Sequence, residues 1–177
     1  GNLPIGALPM LPMLVPDHET FLRMMRLVEP VLAAELDQLG VVLLATYNFP
    51  IQTIWGIPEV ERLDQLKGMK VRVGNLPIAE FMLRNGATPV TLATADVAPA
   101  LERAVVNGIV TASAGGGRLW GDMLNSNYRL PLNYDLMMII ANKEAFEAQD
   151  PAIQEKIREA ARASAASLTA ELASLED

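Results

Sequence analysis

Short apolar runs recur along the chain and are separated by stretches with helical spacing. The runs predict buried strands at residues 41–47, 69–73, 90–92, 109–113 and 135–141. Short strands that alternate with helices are typical of an α/β protein, and we expect a mainly parallel sheet. No tandem repeat and no low-complexity linker interrupts this order.

Apolar residues three and four positions apart predict a long first helix over residues 18–39. Asp17 precedes it as an N-cap, and Gly40 follows it in the usual C-terminal stop position. Pro30 is expected to kink this helix or to start a second one, because proline cannot donate the helical hydrogen bond.

Later helices are predicted from the residues that begin them. Pro77 suits the first turn of one helix, and Thr94 is expected to cap another that runs to Asn107. A short helix is expected around residues 119–124. Asp150 begins a long helix, rich in alanine and glutamate, that continues almost to the end of the chain.

Three segments do not form a complete α/β unit on their own. Residues 1–16 are apolar but punctuated by prolines, and we expect them to be extended against a core supplied from elsewhere. Residues 48–62 are predicted to be irregular. The long C-terminal helix also needs a partner to cover it, so we expect the chain to be a fragment of a larger protein.

Composition excludes several classes of function. Hydrophobic residues make up 51% and charged residues 20%, which is typical of a globular protein. The net charge of -7 disfavours nucleic acid and anionic lipid as partners. The chain has no cysteine, so it has no disulfide. Its apolar start lacks the basic residues of a signal peptide, and no apolar run is long enough for a bilayer; we expect a soluble protein.

Catalytic and metal-binding patterns are weak. The single histidine, His18, is expected to be a solvated first-turn residue, and no metal site or cofactor is predicted. The glycines at residues 115–117 follow a predicted strand and precede a helix. They form either an anion cradle or, with greater weight, a tight connection, since the Lys-Ser/Thr of a phosphate-binding loop is absent.

Arg72 is the strongest candidate for ligand binding. It lies near the end of the predicted strand 69–73, where Met69, Val71 and Val73 share one face and Lys70 and Arg72 the other. Ligands of α/β sheets bind at strand ends, and an arginine there suits a carboxylate. From the pattern alone, a surface arginine paired with a glutamate is equally compatible.

Several segments resemble, in order and spacing, those of one transport family. Residues 63–73, LDQLKGMKVRV, are similar to its DLKGLKIRVP element. Residues 86–90, GATPV, resemble its GA-x-P segment, and residues 100–108, ALERAVVNG, its ALQ-x-GVVDG segment. Residues 7–9 and 39–44 match upstream. The chain thus resembles the DctP-like solute-binding proteins of tripartite ATP-independent periplasmic (TRAP) transporters, as a fragment that would lack both ends.

The resemblance implies a periplasmic-binding-protein-like α/β fold with two lobes, a hinge and a long C-terminal helix, the first lobe being incomplete. Residues 1–49 would form part of the first lobe and residues 50–131 the second lobe. Residues 132–177 would return to the first lobe and supply the spanning helix. The implied function is capture of a small organic acid in the periplasm and its delivery to the membrane permease subunits of the transporter, without catalysis.

The resemblance also implies a set of ligand-binding residues. Arg72 would hold the carboxylate, and Gln52 stands where a second arginine often assists, so it would donate a hydrogen bond without adding charge. Thr94 replaces an aromatic residue of the family. Thr111 is the polar residue three positions after the family's VVDG glycine. Phe49 and Trp120 are candidates for a different reason: they are loop aromatics, which line a pocket or, by default, only plug the edge of the core. Asn133 is the last candidate.

Two other functions remain open from the sequence. One is a small-molecule-metabolising α/β enzyme that uses the glycine loop and Arg72 as an anion site. The absence of a positioned base weighs against it. The other is a truncated product that folds only by pairing with a second copy, which predicts a homodimer.

Overall fold

Two separate sheets organise residues 4–175, the part of the chain that the computed structural model describes. The strands are β1 (Val41–Ile51), β2 (Thr53–Gly56), β3 (Lys70–Val73), β4 (Thr88–Thr91), β5 (Gly108–Thr111), β6 (Ser126–Tyr128) and β7 (Tyr134–Asn142). The helices are α1 (Pro4–Ala7), α2 (His18–Gln38), α3 (Leu76–Arg84), α4 (Thr94–Glu102), α5 (Arg118–Trp120), α6 (Lys143–Glu147) and α7 (Pro151–Ser174). Short 3-10 helices lie at Leu8–Met10, Leu63–Leu66 and Gly121–Met123, and a π-type turn lies at Ser113–Gly117. The α/β class predicted from the sequence is confirmed.

The larger sheet has five strands in the order β4-β3-β5-β2-β6. β3 is parallel to β4 and β5, whereas β2 is antiparallel to β5 and β6. The sheet is therefore mixed, and the expectation of a mainly parallel sheet was wrong. The reason is β2, which enters directly from β1 of the other sheet rather than through a helical crossover. The prediction that residues 48–62 are irregular was wrong for residues 48–51, which belong to β1, and for residues 53–56, which form β2.

Two clusters of apolar side chains cover the two faces of this sheet. On one face Val71 and Val73 pack with Ile78 and Met82 of α3. The opposite cluster, formed around α4, comprises chiefly Val97, Leu101, Val106, Ile109 and Trp120. Because strand side chains alternate between faces, burial of Val71 and Val73 directs Arg72 to the α4 side.

The smaller sheet pairs β1 with β7 in antiparallel orientation. Helix α2 packs on it through Phe21, Met25, Val28, Leu32 and Leu36, which meet Tyr134 and Leu136. Helix α7 contacts Leu44 and Ala45 of β1 through Ala161 and Ala165. This second cluster is small because α7 presents mainly alanines.

The chain crosses between the sheets at two adjacent points. Gln52 joins β1 to β2, and residues 129–133 join β6 to β7. The Gln52 N–H donates to the Asn133 carbonyl at 2.8 Å, and the Leu132 N–H donates to the Gln52 carbonyl at 3.0 Å. The predicted lobe boundaries lie beside this junction, although β1 continues through the first of them; the boundaries themselves stay a prediction.

The opening residues differ from the expectation of an extended segment. Residues 4–7 form a helical turn and residues 8–10 a 3-10 turn, while residues 1–3 lie outside the described part. Pro9 is accommodated because it lies in the first turn of the 3-10 helix, where no N–H is needed. Within residues 4–175, no helix combines the length and apolar character needed to cross a membrane.

Helix ends were predicted with mixed success. The Asp17 side chain accepts from the Thr20 N–H at 2.7 Å, and Gly40 adopts a φ of 73°, so both ends of α2 are confirmed. α2 continues through Pro30 as one helix. Thr94 does not cap α4: Ala93 holds the cap position without a side-chain bond, and the helix ends at Glu102 rather than Asn107.

Candidate ligand-binding site

A cavity of about 290 Å³ lies at the junction between the two sheets. Its wall includes every residue that the sequence suggested for ligand binding: Phe49, Gln52, Arg72, Thr94, Thr111, Trp120 and Asn133. A larger groove of about 930 Å³ lies between α2, β1 and α7, and none of these residues lines it. Polar groups that converge on one small cavity mark a binding site better than volume does.

Arg72 contributes a partly fixed guanidinium to the cavity. Its Nε and Nη2 atoms donate to the Leu92 carbonyl at 3.3 and 3.2 Å. These two atoms form the side edge of the guanidinium, so the Nη1 and Nη2 N–H groups at its far end remain for another acceptor. Arg72 makes no ion pair within the described chain, and the alternative of a surface pair with a glutamate is not found there. Burial lowers the pKa of Arg72, an effect that nearby Asp135 opposes.

Asp135 and Asn75 also line the cavity and were missed from the sequence. The Asp135 Oδ1 atom accepts from Asn133 Nδ2 at 2.9 Å and from Asn75 Nδ2 at 3.1 Å. Burial raises the pKa of Asp135, although both hydrogen bonds and Arg72 act against the rise. A carboxylate at the head of an apolar strand is unusual, and that signal could have identified Asp135.

Asn75 connects the two sheets through one side chain. Its Oδ1 accepts from the Ile78 N–H at 3.0 Å and caps α3, while its Nδ2 donates to Asp135 on β7. Asn75 follows β3 closely, so the strand that carries Arg72 also positions this amide. The cap explains why an asparagine is favoured at position 75, because asparagine is a preferred N-cap residue. The bond to Asp135 links the larger sheet to the smaller one.

The glycine loop is closed by its own hydrogen bonds. The N–H groups of Gly115 and Gly117 donate to the Ala112 carbonyl at 3.2 and 3.1 Å. The Gly116 N–H donates to Thr111 Oγ1 at 2.9 Å. All three amides are therefore engaged, and the loop is the tight connection rather than the anion cradle that the sequence left open.

Gln52 and Thr111 are buried polar residues whose side chains bond within the chain. Gln52 Nε2 donates to the Pro50 carbonyl at 3.0 Å, and Thr111 Oγ1 is the acceptor for the glycine loop. Thr94, by contrast, is an exposed residue at the start of α4. The amide donor expected from Gln52 is thus directed at the backbone in this arrangement.

Aromatic side chains complete the wall. Phe49 lies beside Gly115, and Trp120 is buried against Gly116 within the α4 cluster. His18 lies outside the cavity; it is partly buried between Phe21 and Tyr134 and its Nε2 lies 3.4 Å from Asn48 Oδ1, so it is not simply solvated. Among residues 4–175 no group of three or more His, Asp or Glu side chains could hold a metal ion.

Comparison with known proteins places the chain in a family. The family model of DctP, described as bacterial extracellular solute-binding protein, family 7, matches residues 2–177. No curated protein sequence matches the chain. Solved structures do match it, and they include TRAP solute-binding proteins and extracytoplasmic solute receptors.

Three of these structures illustrate the likeness. A marine metagenome TRAP solute-binding protein specific for pyroglutamate, from an unidentified microbe, is 25% identical with a TM-score of 0.90. A Bordetella pertussis extracytoplasmic solute receptor binding pyroglutamic acid is 25% identical with a TM-score of 0.85. A Ralstonia eutropha TRAP protein with bound (S)-2-acetolactate is 25% identical with a TM-score of 0.88.

The match is nearly complete for this chain but partial for its relatives. It covers 98%, 98% and 97% of this chain, and 57%, 62% and 56% of the three relatives in the same order. The chain therefore spans about six-tenths of their length, which agrees with the expected fragment and the incomplete first lobe. From the family match over residues 2–177 and the shared fold, the chain belongs to the DctP family of TRAP solute-binding proteins.

Proposed function

We propose that this protein is the solute-binding component of a TRAP-type transporter and captures a small organic acid in the cavity between its two sheets. The observation that carries the proposal is the guanidinium of Arg72, which lines a cavity of about 290 Å³ without an ion-pair partner in residues 4–175. The family consists of solute-binding receptors rather than enzymes. The alternative of a metabolic enzyme is therefore rejected, and the closed glycine loop removes the anion site on which it depended.

The free end of the guanidinium is suited to a carboxylate. Two parallel N–H groups at that end match the two carboxylate oxygens, which gives a charge-assisted contact with a fixed orientation. The small volume of the cavity limits the ligand to a small molecule. Named ligands of the relatives agree in chemistry, since pyroglutamate and (S)-2-acetolactate are both small carboxylic acids.

The cavity draws its wall from both sides of the junction. Arg72 and Thr111 belong to the five-stranded sheet, whereas Phe49 and Asp135 belong to the two-stranded sheet. A ligand that contacts both sides favours their closed arrangement by the free energy that the second set of contacts adds. This geometry supports capture by closure, which requires no catalytic group.

Two further parts of the proposal rest on the family alone. The receptor would act in the periplasm, and it would deliver its ligand to the membrane permease subunits of the transporter. A homodimer stays a prediction, which a measurement of molecular mass in solution would test. The family description as extracellular agrees with the proposed location.

Replacement of Arg72 tests the proposal. Arg72→Ala should abolish the thermal stabilisation that wild type gains from a small carboxylate such as pyroglutamate, because the bound carboxylate would lose its only cationic partner among the described residues that line the cavity. The expected loss is roughly 3–5 kcal/mol of binding free energy, which is at least about a hundredfold in Kd. Thermal shift and isothermal titration calorimetry would measure it.

Two further variants make the result specific. Lys70→Ala is the matched control, because Lys70 lies on the same face of β3 but is exposed and does not line the cavity. It should bind as wild type does. Arg72→Lys should bind more weakly than wild type, since it keeps the charge and loses the paired N–H groups. An unchanged thermal shift in Arg72→Ala would show that Arg72 does not bind the ligand, and the proposed function would then be wrong.

A further inference from the structure

The charges on the cavity wall limit what the ligand can be. Among the described residues that line it, Arg72 and Asp135 are the only charged ones. A ligand with one carboxylate can pair with Arg72, and with Asp135 ionised the occupied site then carries one net negative charge. A second carboxylate on the same small molecule would lie near Asp135 without a cation, and like charges in a half-buried site repel strongly.

Asn133 adds an unused acceptor to the same wall. The residue is fully buried, with an exposed fraction of 0%. Its Nδ2 donates to Asp135 Oδ1 at 2.9 Å and to the Tyr134 carbonyl at 3.2 Å. This fixes the amide orientation, because the reverse orientation would set the Asn133 oxygen against two other acceptors.

The opposite atom of that amide, Asn133 Oδ1, has no hydrogen-bond partner within the described chain. Buried acceptors in native proteins are nearly always satisfied, so a donor from outside the chain is expected here. Glu35 and Asn127 also carry an unpartnered oxygen, but neither lines the cavity. It is the coincidence of an unused acceptor with the cavity wall that points to a ligand.

Asp135 has spare acceptor capacity as well. Both of its hydrogen bonds from Asn133 and Asn75 end on Oδ1. A carboxylate can accept about four hydrogen bonds, so Oδ2 is available to a donor in the cavity. The raised pKa of Asp135 is consistent with a buried carboxyl group that receives fewer hydrogen bonds than it can accept.

We infer that the ligand is a monocarboxylic acid with an N–H or O–H donor close to its carboxylate, and that Asp135 and Asn133 accept this donor while Arg72 holds the acid. The inference rests on the proposed function and narrows it to a substrate class. It separates two kinds of small acid that Arg72 alone would treat alike, those with a donor beside the carboxylate and those without one.

Matched ligand pairs test the inference on the unmodified protein. Pyroglutamate and 5-oxotetrahydrofuran-2-carboxylate have the same ring and carboxylate, but the lactone has an oxygen in place of the lactam N–H. 2-Hydroxybutanoate and butanoate form a second pair, and glutarate is the diacid control. The donor-bearing member of a pair should bind at least about a hundredfold more tightly, because the analogue leaves buried acceptors unpaired. Glutarate, which also lacks a donor beside its carboxylate, should bind more weakly than butanoate, because its second carboxylate would lie near Asp135.

The outcomes separate this inference from the proposed function. If the members of each pair bind wild type equally, the donor inference is wrong, whereas recognition of a carboxylate by Arg72 stands. Equal binding is also the result expected if a water molecule alone satisfies Asn133. If no monocarboxylate of the panel binds, the proposed function and the inference both fail.

Variants then assign the effect to the two acceptors. Asp135→Asn keeps the size and one acceptor oxygen, and it should reduce the ratio of lactam to lactone affinity at least about tenfold and improve the binding of glutarate. Asn133→Ser should reduce the same ratio. Asn127→Ser is the control, because Asn127 has an unpartnered oxygen away from the cavity, and the ratio should not change. An unchanged ratio in both Asp135→Asn and Asn133→Ser would overturn the assignment.

Discussion

The five-stranded sheet and the two-stranded sheet differ in how completely their apolar residues are covered. In the five-stranded region, side chains on both faces, such as Val71, Met82 and Ile109, are fully buried. In the two-stranded region, Met138 and Ile140 of β7 remain 38% and 50% exposed. The first region completes its own core, whereas the second does not do so within the described chain. The cavity lies between them, so only one of its walls rests on a complete core.

Core substitutions in each region should give the largest effects. Met82→Ala and Leu32→Ala each remove a fully buried side chain and should cost about 2–5 kcal/mol of unfolding free energy. Both tryptophans, Trp55 and Trp120, lie in the five-stranded region, while the long helices α2 and α7 belong to the other. In urea, Met82→Ala should shift the fluorescence transition most, and Leu32→Ala the circular dichroism transition.

The matched control is Leu83→Ala, since Leu83 is the next residue on α3 and is 64% exposed. It should change stability by less than about 0.5 kcal/mol. If fluorescence and circular dichroism shift together in both core variants, the two regions unfold as one unit and the contrast between them has no thermodynamic meaning.

A smaller effect is expected where the five-stranded region meets the cavity. A Cβ at Gly116 would collide with the Trp120 ring and approach Thr111 Oγ1 to 2.6 Å. Gly116→Ala should therefore cost about 1–3 kcal/mol by overpacking and also weaken ligand binding. Gly121→Ala is the control, because a Cβ added there would meet no atom of the described chain within 4 Å. Equal melting temperatures for the two variants would contradict the close packing at Gly116.

The smallest effect concerns the wall from the two-stranded region and depends on pH. Because burial raises the pKa of Asp135 above its ordinary value of 3.8, the folded protein retains this proton longer than the unfolded chain as pH rises. The wild type therefore loses stability as pH rises through the pKa of Asp135 in the folded protein. Asp135→Asn does not show this loss, because asparagine does not titrate. Melting temperatures should favour the variant more at pH 7 than at pH 4. A constant or opposite difference would show that the charge on Asp135 is stabilised in the fold.

The sequence was most informative where local pattern decides structure. Alternation in β3 placed Arg72 opposite Val71 and Val73, and Asp17 and Gly40 marked the ends of α2. β2 was missed because Trp55, Gly56 and a nearby proline resemble a loop. That strand of four residues exists because it has a pairing partner on each side, which no local pattern reveals.

The candidate site was predicted in the same uneven way. The seven suggested residues do line one cavity, but their part in ligand binding stays a prediction. Asp135 is marked in the sequence only as a carboxylate at the head of an apolar strand; its partner Asn75 lies sixty positions earlier in the chain, and only the fold brings the two together. Residues that act through distant contacts of this kind have no sequence period that would identify them.

The carbonyl of Leu92 has a consequence for affinity. By accepting from both Nε and Nη2, it restrains the long Arg72 side chain before any ligand arrives. Ordering that side chain costs about 0.5–1.5 kcal/mol of free energy. Part of this cost is then met when the protein folds rather than when the ligand binds. A preorganised fork can bind a metabolite of few atoms, which offers little contact area, and it admits only those acids that approach in its plane.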